Sequence, residues 1–368
     1  MPIRHLYIHV PFCHRICPYC SFYKHQHGNT DLAAFVDAVI SEARRGNEAH
    51  EMALETVFLG GGTPTALSEL HLHRLLSGMR DTFEWSSVTE FCLEANPRTI
   101  TPSKARMMRE VGVSRVSLGV QAWDEETLKT LGRDHAPAEA EETYFTLREA
   151  GFSSVSLDLM FSIPGQSPDV WAASLEKTLS LGPDHISAYN LNYEEDTEFF
   201  ERLRRGQYRE DSDADATCFE MAMDRLEGAG YEHYEISNYA KPGHRSAHNE
   251  SYWLGDDYLG LGPSAFSTVN GRRWQNVPDT ARYLAAISGG QGLISSEEEI
   301  TEEKRLIERF GLELRTARGL PVSLVGQEQR TMLDSLARDG LLRIDQDHIV
   351  LTRAGKALAD PIAVALLG

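Results

Sequence analysis

Apolar stretches recur along the chain in a steady rhythm, each followed by turn residues and then by an amphipathic stretch of helical period. The strand-like runs are 6–10, 56–59, 90–94, 115–121, 154–163 and 185–192. Between them, 32–45 places Leu32, Phe35, Val36, Val39 and Ile40 on one face of a helix, and 137–150 and 168–181 repeat that period. Ser167 reads as an N-cap, with Pro168 at the first helical position. Strands alternating with helices predict right-handed crossovers and a parallel sheet. Six units are visible before the rhythm stops. The expected fold class is therefore α/β, an open partial (β/α)6 barrel rather than a closed eight-fold one.

From about residue 211 the texture changes. A helix around 218–228 leads into the aromatic-rich, alternating segment 231–239. After Thr301 the pattern predicts a helix, a second helix at 327–338, and a hairpin of 341–344 with 348–351 around Asp345-Gln346-Asp347. Helices followed by a hairpin predict a winged-helix-like C-terminal α+β module. The expected domains are a barrel core at 1–210, a connecting α/β region at 211–300 and the C-terminal module at 301–368. That module is not basic, so docking or covering the site is a better expectation for it than DNA binding.

Charge and composition narrow the function. A formal charge of −19 over 368 residues excludes a nucleic-acid-wrapping protein, which needs a basic surface. It remains compatible with a basic partner or with the basic loops of a membrane protein, hence with peripheral membrane contact. No apolar run approaches the roughly 20 residues of a membrane-spanning helix. Cysteines number only five, and no apolar signal segment precedes Leu6. Both features predict a cytoplasmic, reducing location.

Three of those cysteines, Cys13, Cys17 and Cys20, follow the first strand with C-x3-C-x2-C spacing. Three thiolates on a 4Fe-4S cluster leave one iron open to another ligand, whereas four close the site. A zinc site completed by His9, His14, His25 or His27 uses the same ligand types, and a disulfide plus a spare thiol is a third arrangement. Cys92 and Cys218 read as buried structural thiols. The expected strand ends carry further polar groups, as the catalytic face of a parallel barrel does. Strand two runs into Gly60-Gly61-Gly62-Thr63-Pro64, strand three holds Glu94, strand four ends at Gln121, strand five holds Asp158, and strand six holds Asn190 and Asn192. The glycines either form a tight turn or let backbone approach a ligand. Glu94, Gln121 and Asp158 interrupt apolar runs, where an unpartnered charge or amide costs several kcal/mol. They either pair internally, with Arg115 or Arg133, or face a bound polar ligand.

Cys13-x3-Cys17-x2-Cys20 with Tyr19 before the last cysteine, followed by Gly60–Pro64, resembles the radical S-adenosylmethionine superfamily. Within it, the segments 7–13, 93–97, Gly119-Val120-Gln121, Leu131-Gly132-Arg133 and Asp158-Leu159-Met160 resemble the oxygen-independent coproporphyrinogen III oxidase group. The oxidases carry a further cysteine two residues after the third, where Ser21-Phe22 stands here, and an N-terminal extension where five residues precede the first strand here. In both respects the chain resembles the heme chaperone (HemW) branch, as does the H-N-x-x-Y-W motif His248-Asn249-Glu250-Ser251-Tyr252-Trp253.

The resemblance implies that Cys13, Cys17 and Cys20 hold the 4Fe-4S cluster. It implies S-adenosyl-L-methionine contacts at Tyr7, Gly61, Gly62, Thr63, Glu94, Gln121, Arg133 and Asp158, with Glu94 beside the ammonium. It also implies heme bound through the H-N-x-x-Y-W segment, with His248 as the candidate axial ligand and Tyr252 and Trp253 as flat surface for the porphyrin. Two functions stay open. One is a heme chaperone that serves apo-hemoproteins such as respiratory cytochromes. The other is a coproporphyrinogen III oxidase. If the chain is redox active, a flavodoxin- or ferredoxin-type electron donor is expected for it.

Overall fold

The computed structural model describes residues 2–290 and 292–368. Six parallel strands stand side by side in chain order: β1 (Ile3–Val10), β2 (Met52–Gly61), β3 (Glu90–Ala95), β4 (Arg115–Gln121), β5 (Ser154–Phe161) and β6 (His185–Asn190). The strands β7 (Glu232–His233) and β8 (Asn238–Ala240) add antiparallel pairs beyond β6. On the other side lie β9 (Tyr258–Leu261), β10 (Phe266–Val269), β11 (Arg272–Asn276) and β12 (Ile294–Glu299). Of these, β9 runs parallel to β1, so the parallel array holds seven strands rather than the expected six. The sheet stays open, with β12 and β7 at its edges. Strands five and six end at Phe161 and Asn190, two residues earlier than their apolar runs.

Side-chain alternation decides what each face does. Leu6, Ile8 and Val10 of β1, Val57 and Leu59 of β2, Val116, Leu118 and Val120 of β4, and Val155, Leu157 and Leu159 of β5 share one face and are buried. With the crossover helices Leu32–Ala49, Glu69–Thr82, Pro102–Val111, Pro137–Glu149 and Pro168–Leu181 they form a single core. Helix Leu32–Ala49 buries Phe35, Val36, Val39 and Ile40 and is capped by Asp31; Ser167 caps its helix by accepting from Val170 N–H. The alternate positions face the other way and are mostly polar: Tyr7, Glu94, Ser117, Gln121, Asp158, Ser187 and Tyr189 all border one cavity. Parallel strands packed on both faces read as continuous apolar runs. Here one face is given over to polar chemistry.

The C-terminal residues build a second core around Phe310, Leu320, Leu333, Leu342, Ile349 and Ile362. Three helices, Glu302–Glu313, Arg330–Arg338 and Ala359–Leu367, pack with the antiparallel strands β13 (Leu320–Pro321), β14 (Leu342–Asp345) and β15 (His348–Leu351). Gln346 and Asp347 both take positive φ and make the two-residue turn of the hairpin. Among the described residues, no helix is long and apolar enough to cross a membrane.

Candidate cluster and cofactor cavity

A cavity of about 630 Å3 opens at the C-terminal ends of the parallel strands. It brings together Tyr7, Cys13, Cys17, Cys20, Gly61, Gly62, Thr63, Glu94, Gln121, Arg133 and Asp158. All eleven cluster and S-adenosylmethionine positions implied by the sequence thus border one space.

The cysteine loop leaves β1 and is closed at its base by the pairing of Phe12 with His25, where Cys13 N–H donates to His25 O at 3.0 Å and His25 N–H to Pro11 O at 2.8 Å. Beside it runs the glycine segment. Gly62 N–H donates to Val10 O at 2.8 Å and Thr63 N–H to Phe12 O at 2.8 Å. A Cβ on Gly61, which has φ +102°, would overlap the His9 ring, and one on Gly62 would stand 2.7 Å from the Pro11 carbonyl carbon. Here the glycines serve the close approach of the protein's own backbone: they let this segment lie against the cysteine loop.

The Thr63 hydroxyl donates to Cys13 Sγ and Arg133 Nη1 to Cys17 Sγ, both at 3.6 Å. Burial pushes the Cys13 thiol up to about 11, and the Thr63 bond opposes it; burial also raises Cys20, with Lys24 opposing. These thiols therefore need a cationic metal group to hold them as thiolates at neutral pH. Among the described residues no three His, Cys, Asp or Glu side chains are grouped closely enough to hold a single metal ion. A cluster takes each thiolate on a different iron. The three cysteines on one cavity fit that group. Cys92 and Cys218 are both buried.

Glu94 accepts from Gly61 N–H at 3.2 Å. Burial, and then the neighbouring Asp158, raise its carboxyl to about 8; no cationic side chain acts on it. Asp158 is also raised by burial, while the hydroxyls of Ser117, Ser187 and Ser156 oppose the shift. Ser117 donates to both its oxygens at 2.8 Å. Arg115 also opposes the shift of Asp158, whereas Glu94 has no such cationic neighbour, and both acids face a space that a cationic ligand fills favourably. Gln121 has φ +69° at the irregular end of β4, a strained backbone at the cavity wall. The Tyr7 hydroxyl lies 3.0 Å from His9 Nδ1.

His248, the expected heme ligand, lies away from the cavity. It is 0% exposed and does not border the cavity. Its Nδ1 lies 2.7 Å from Thr56 Oγ1, its Nε2 lies 3.0 Å from the Tyr252 hydroxyl, and its ring stacks on Phe58 at 5.1 Å. Burial, and then His5, push its pKa down to about 3. Both nitrogens are thus engaged within the protein. The motif's Tyr252 and Asn249 border the cavity instead. Sequence reasoning also passed over Ser117, Ser187 and Tyr189, although Ser117 shares the period of Gln121 on β4, and Ser187, with Tyr189 two residues on, pairs with Asp158 across β5 and β6.

A sequence model of the radical SAM superfamily matches residues 7–177. The heme chaperone HemW of Bacillus subtilis (strain 168) is 33% identical over 377 residues, covering 98% of each chain. That of Mycobacterium tuberculosis (strain CDC 1551 / Oshkosh) is 34% identical over 368 residues, covering 99% of this chain and 94% of its own. That of Escherichia coli (strain K12) is 33% identical, covering 97% and 96%. Among solved structures, the radical SAM coproporphyrinogen III oxidase of Escherichia coli (HemN) shares the fold with a TM-score of 0.84. The match covers 99% of this chain and 90% of the oxidase at 24% identity. By this full-length similarity the chain belongs to the HemW branch of the radical S-adenosylmethionine superfamily.

Proposed function

We propose that the chain is a heme chaperone that binds a 4Fe-4S cluster, S-adenosylmethionine and heme, and passes heme to apo-hemoproteins. The observation that carries this reading is the end-to-end similarity to curated heme chaperones at about a third identity. Cys13, Cys17 and Cys20 bind three irons of the cluster. Thr63 and Arg133 donate to the sulfurs of Cys13 and Cys17 and hold their negative charge in the half-buried loop. The uncompensated Glu94 receives the cofactor's ammonium, and Gly61, Gly62 and Thr63 border its methionine end. Tyr7, Gln121, Arg133 and Asp158 line the remaining walls and exclude water. When bound, the reduced cluster supplies the electron that cleaves the sulfonium carbon–sulfur bond. The recipients are respiratory cytochromes, the electron donor is of flavodoxin or ferredoxin type, and the protein works in the cytoplasm with peripheral contact to membrane-bound acceptors.

The test is anaerobic reconstitution followed by two assays on the same sample. The expected result is about four irons and four sulfides per chain, stoichiometric hemin uptake, and transfer to an apo-cytochrome. Decarboxylated product from coproporphyrinogen III, with no heme transfer, would replace the chaperone by the oxidase.

A further inference from the structure

The arm by which the cysteine loop returns to Phe12 is held by a helix far along the chain. Thr280, the first residue of the helix Thr280–Gly289, is buried. Its Oγ1 lies 2.7 Å from His25 Nε2 and 3.1 Å from the Tyr23 hydroxyl, and its N–H donates to that hydroxyl at 2.7 Å. The helix is itself firmly seated. Its Tyr283 hydroxyl donates to the buried Glu42 at 2.6 Å, and its Ile287 carbonyl accepts from Arg45 at 2.9 Å. Glu42 and Arg45 both belong to the core helix Leu32–Ala49. Thr280 is therefore a fixed point against which the arm rests. It lies beyond residue 177, where the match to the superfamily model ends.

The chemistry of the donors orients these bonds. The Gln26 carbonyl, 2.8 Å from His25 Nδ1, only accepts, so in the neutral imidazole Nδ1 carries the proton and Nε2 accepts from the Thr280 hydroxyl. Having given its one proton, Thr280 Oγ1 accepts from the Tyr23 O–H, and the Tyr23 oxygen accepts from the Thr280 N–H. One threonine thus satisfies both side chains. Tyr23 carries the arm's position further. Its main-chain carbonyl lies 2.8 Å from His9 Nε2, which must donate, and His9 Nδ1 then accepts from the Tyr7 hydroxyl.

We propose, building on the cluster-binding reading above, that Thr280 is a positioning residue for the cysteine loop, setting it through Tyr23 and His25 so that the three thiolates meet the cluster in place. Thr280 touches neither the cluster nor S-adenosylmethionine. It acts through the arm, as the supports of metal ligands commonly do. The loop's other supports reach different atoms: Thr63 bonds Cys13, and Arg133 bonds Cys17. Thr280 serves the stretch after Cys20, where the backbone pairing of His25 with Pro11 and Cys13 closes the loop. The helix Thr280–Gly289 thereby takes part in the cluster site from outside it.

The experiment compares full-length wild type with Thr280→Val, which keeps the side chain's shape and the main-chain N–H but removes the hydroxyl. Iron release to a chelator is followed after anaerobic reconstitution, and site-resolved alkylation of the cysteines is followed in the iron-free protein. Thr280→Val is expected to release iron about fivefold faster, the effect of one hydrogen bond. Cys13, Cys17 and Cys20 should alkylate faster, while the buried Cys218, which reports general loosening, keeps its wild-type rate. Thr280→Ser, which restores the hydroxyl, should return both quantities to wild type. Tyr23→Phe tests the link from the loop side, and its effect should not multiply with that of Thr280→Val, because both remove one shared bond. Iron release at the wild-type rate in Thr280→Val, equal acceleration at Cys218, failure of Thr280→Ser to rescue, or full multiplication in the double variant overturns the assignment while leaving cluster binding intact. A wild type that takes up no iron and sulfide overturns the cluster reading itself, and this assignment with it.

Discussion

The Arg133 guanidinium joins two parts of the cavity: Nη1 donates to Cys17 Sγ at 3.6 Å while Nη2 donates to the Gly119 carbonyl at 2.8 Å. Cys17 belongs to the loop after β1, and Gly119 lies in β4, so one rigid fork ties the cysteine loop to the middle of the sheet. A hydrogen bond to a charged group contributes roughly 1.5–3 kcal/mol, which corresponds to about 10- to 100-fold in an equilibrium. Arg133→Met is expected to weaken iron retention in that range with a smaller change in melting temperature. Iron and sulfide per chain, measured anaerobically after a chelator challenge, check it. Retention equal to wild type would show that the guanidinium serves the carbonyl alone.

Glu94 gives the fold a defined pH dependence. Its carboxyl titrates near 8 in the folded protein, against 4.5 ordinarily, because of burial and then Asp158. The folded state holds this proton more tightly than the unfolded chain does. The group's stabilising contribution is therefore complete below about pH 4.5 and is lost as pH rises through about 8. Glu94→Gln removes that loss, so the variant is expected to melt above wild type at pH 8 and close to it at pH 4.5. A cationic ligand reverses the order: S-adenosylmethionine should raise the melting temperature of wild type at pH 8 more than that of the variant. Melting curves over this pH range, with and without the cofactor, decide the point. Parallel curves for the two proteins would mean that Glu94 ionises normally.

The six parallel strands are legible because their outward residues, such as Leu6, Ile8 and Val10, are apolar at every repeat and lie beside helices of clear period. The polar positions are legible too, but only collectively. Glu94, Gln121 and Asp158 read singly as interruptions, whereas together with Ser117, Ser187 and Tyr189 they mark one face of adjacent strands. β9 escapes a local reading. It is four residues long, and a Cβ on Gly262, just past its end, would collide with the His9 carbonyl of β1, so its place beside β1 is a matter of close packing. The burial of His248 was equally hidden. Which way its imidazole turns is set by Thr56 and Phe58 on β2, and Thr56 lies 192 positions earlier in the chain.

Gly62 is where packing and cluster chemistry meet. A Cβ there would stand 2.7 Å from the Pro11 carbonyl carbon, 2.8 Å from Val10 O and 2.9 Å from Phe12 N, all backbone atoms that cannot swing aside. Gly62→Ala must therefore push the glycine segment away from the strand end that carries the cysteine loop. That shift stretches the Thr63 N–H bond to Phe12 O and the Thr63 hydroxyl contact with Cys13. Overpacking of this kind costs about 1–3 kcal/mol. The expected outcome is a lower melting temperature together with reduced iron loading. Gly228→Ala is the control: it ends a helix with open space around its missing Cβ and should leave both quantities unchanged or slightly raise stability. Iron loading at the wild-type level in Gly62→Ala would mean that the cysteine loop does not depend on its contact with the glycine segment.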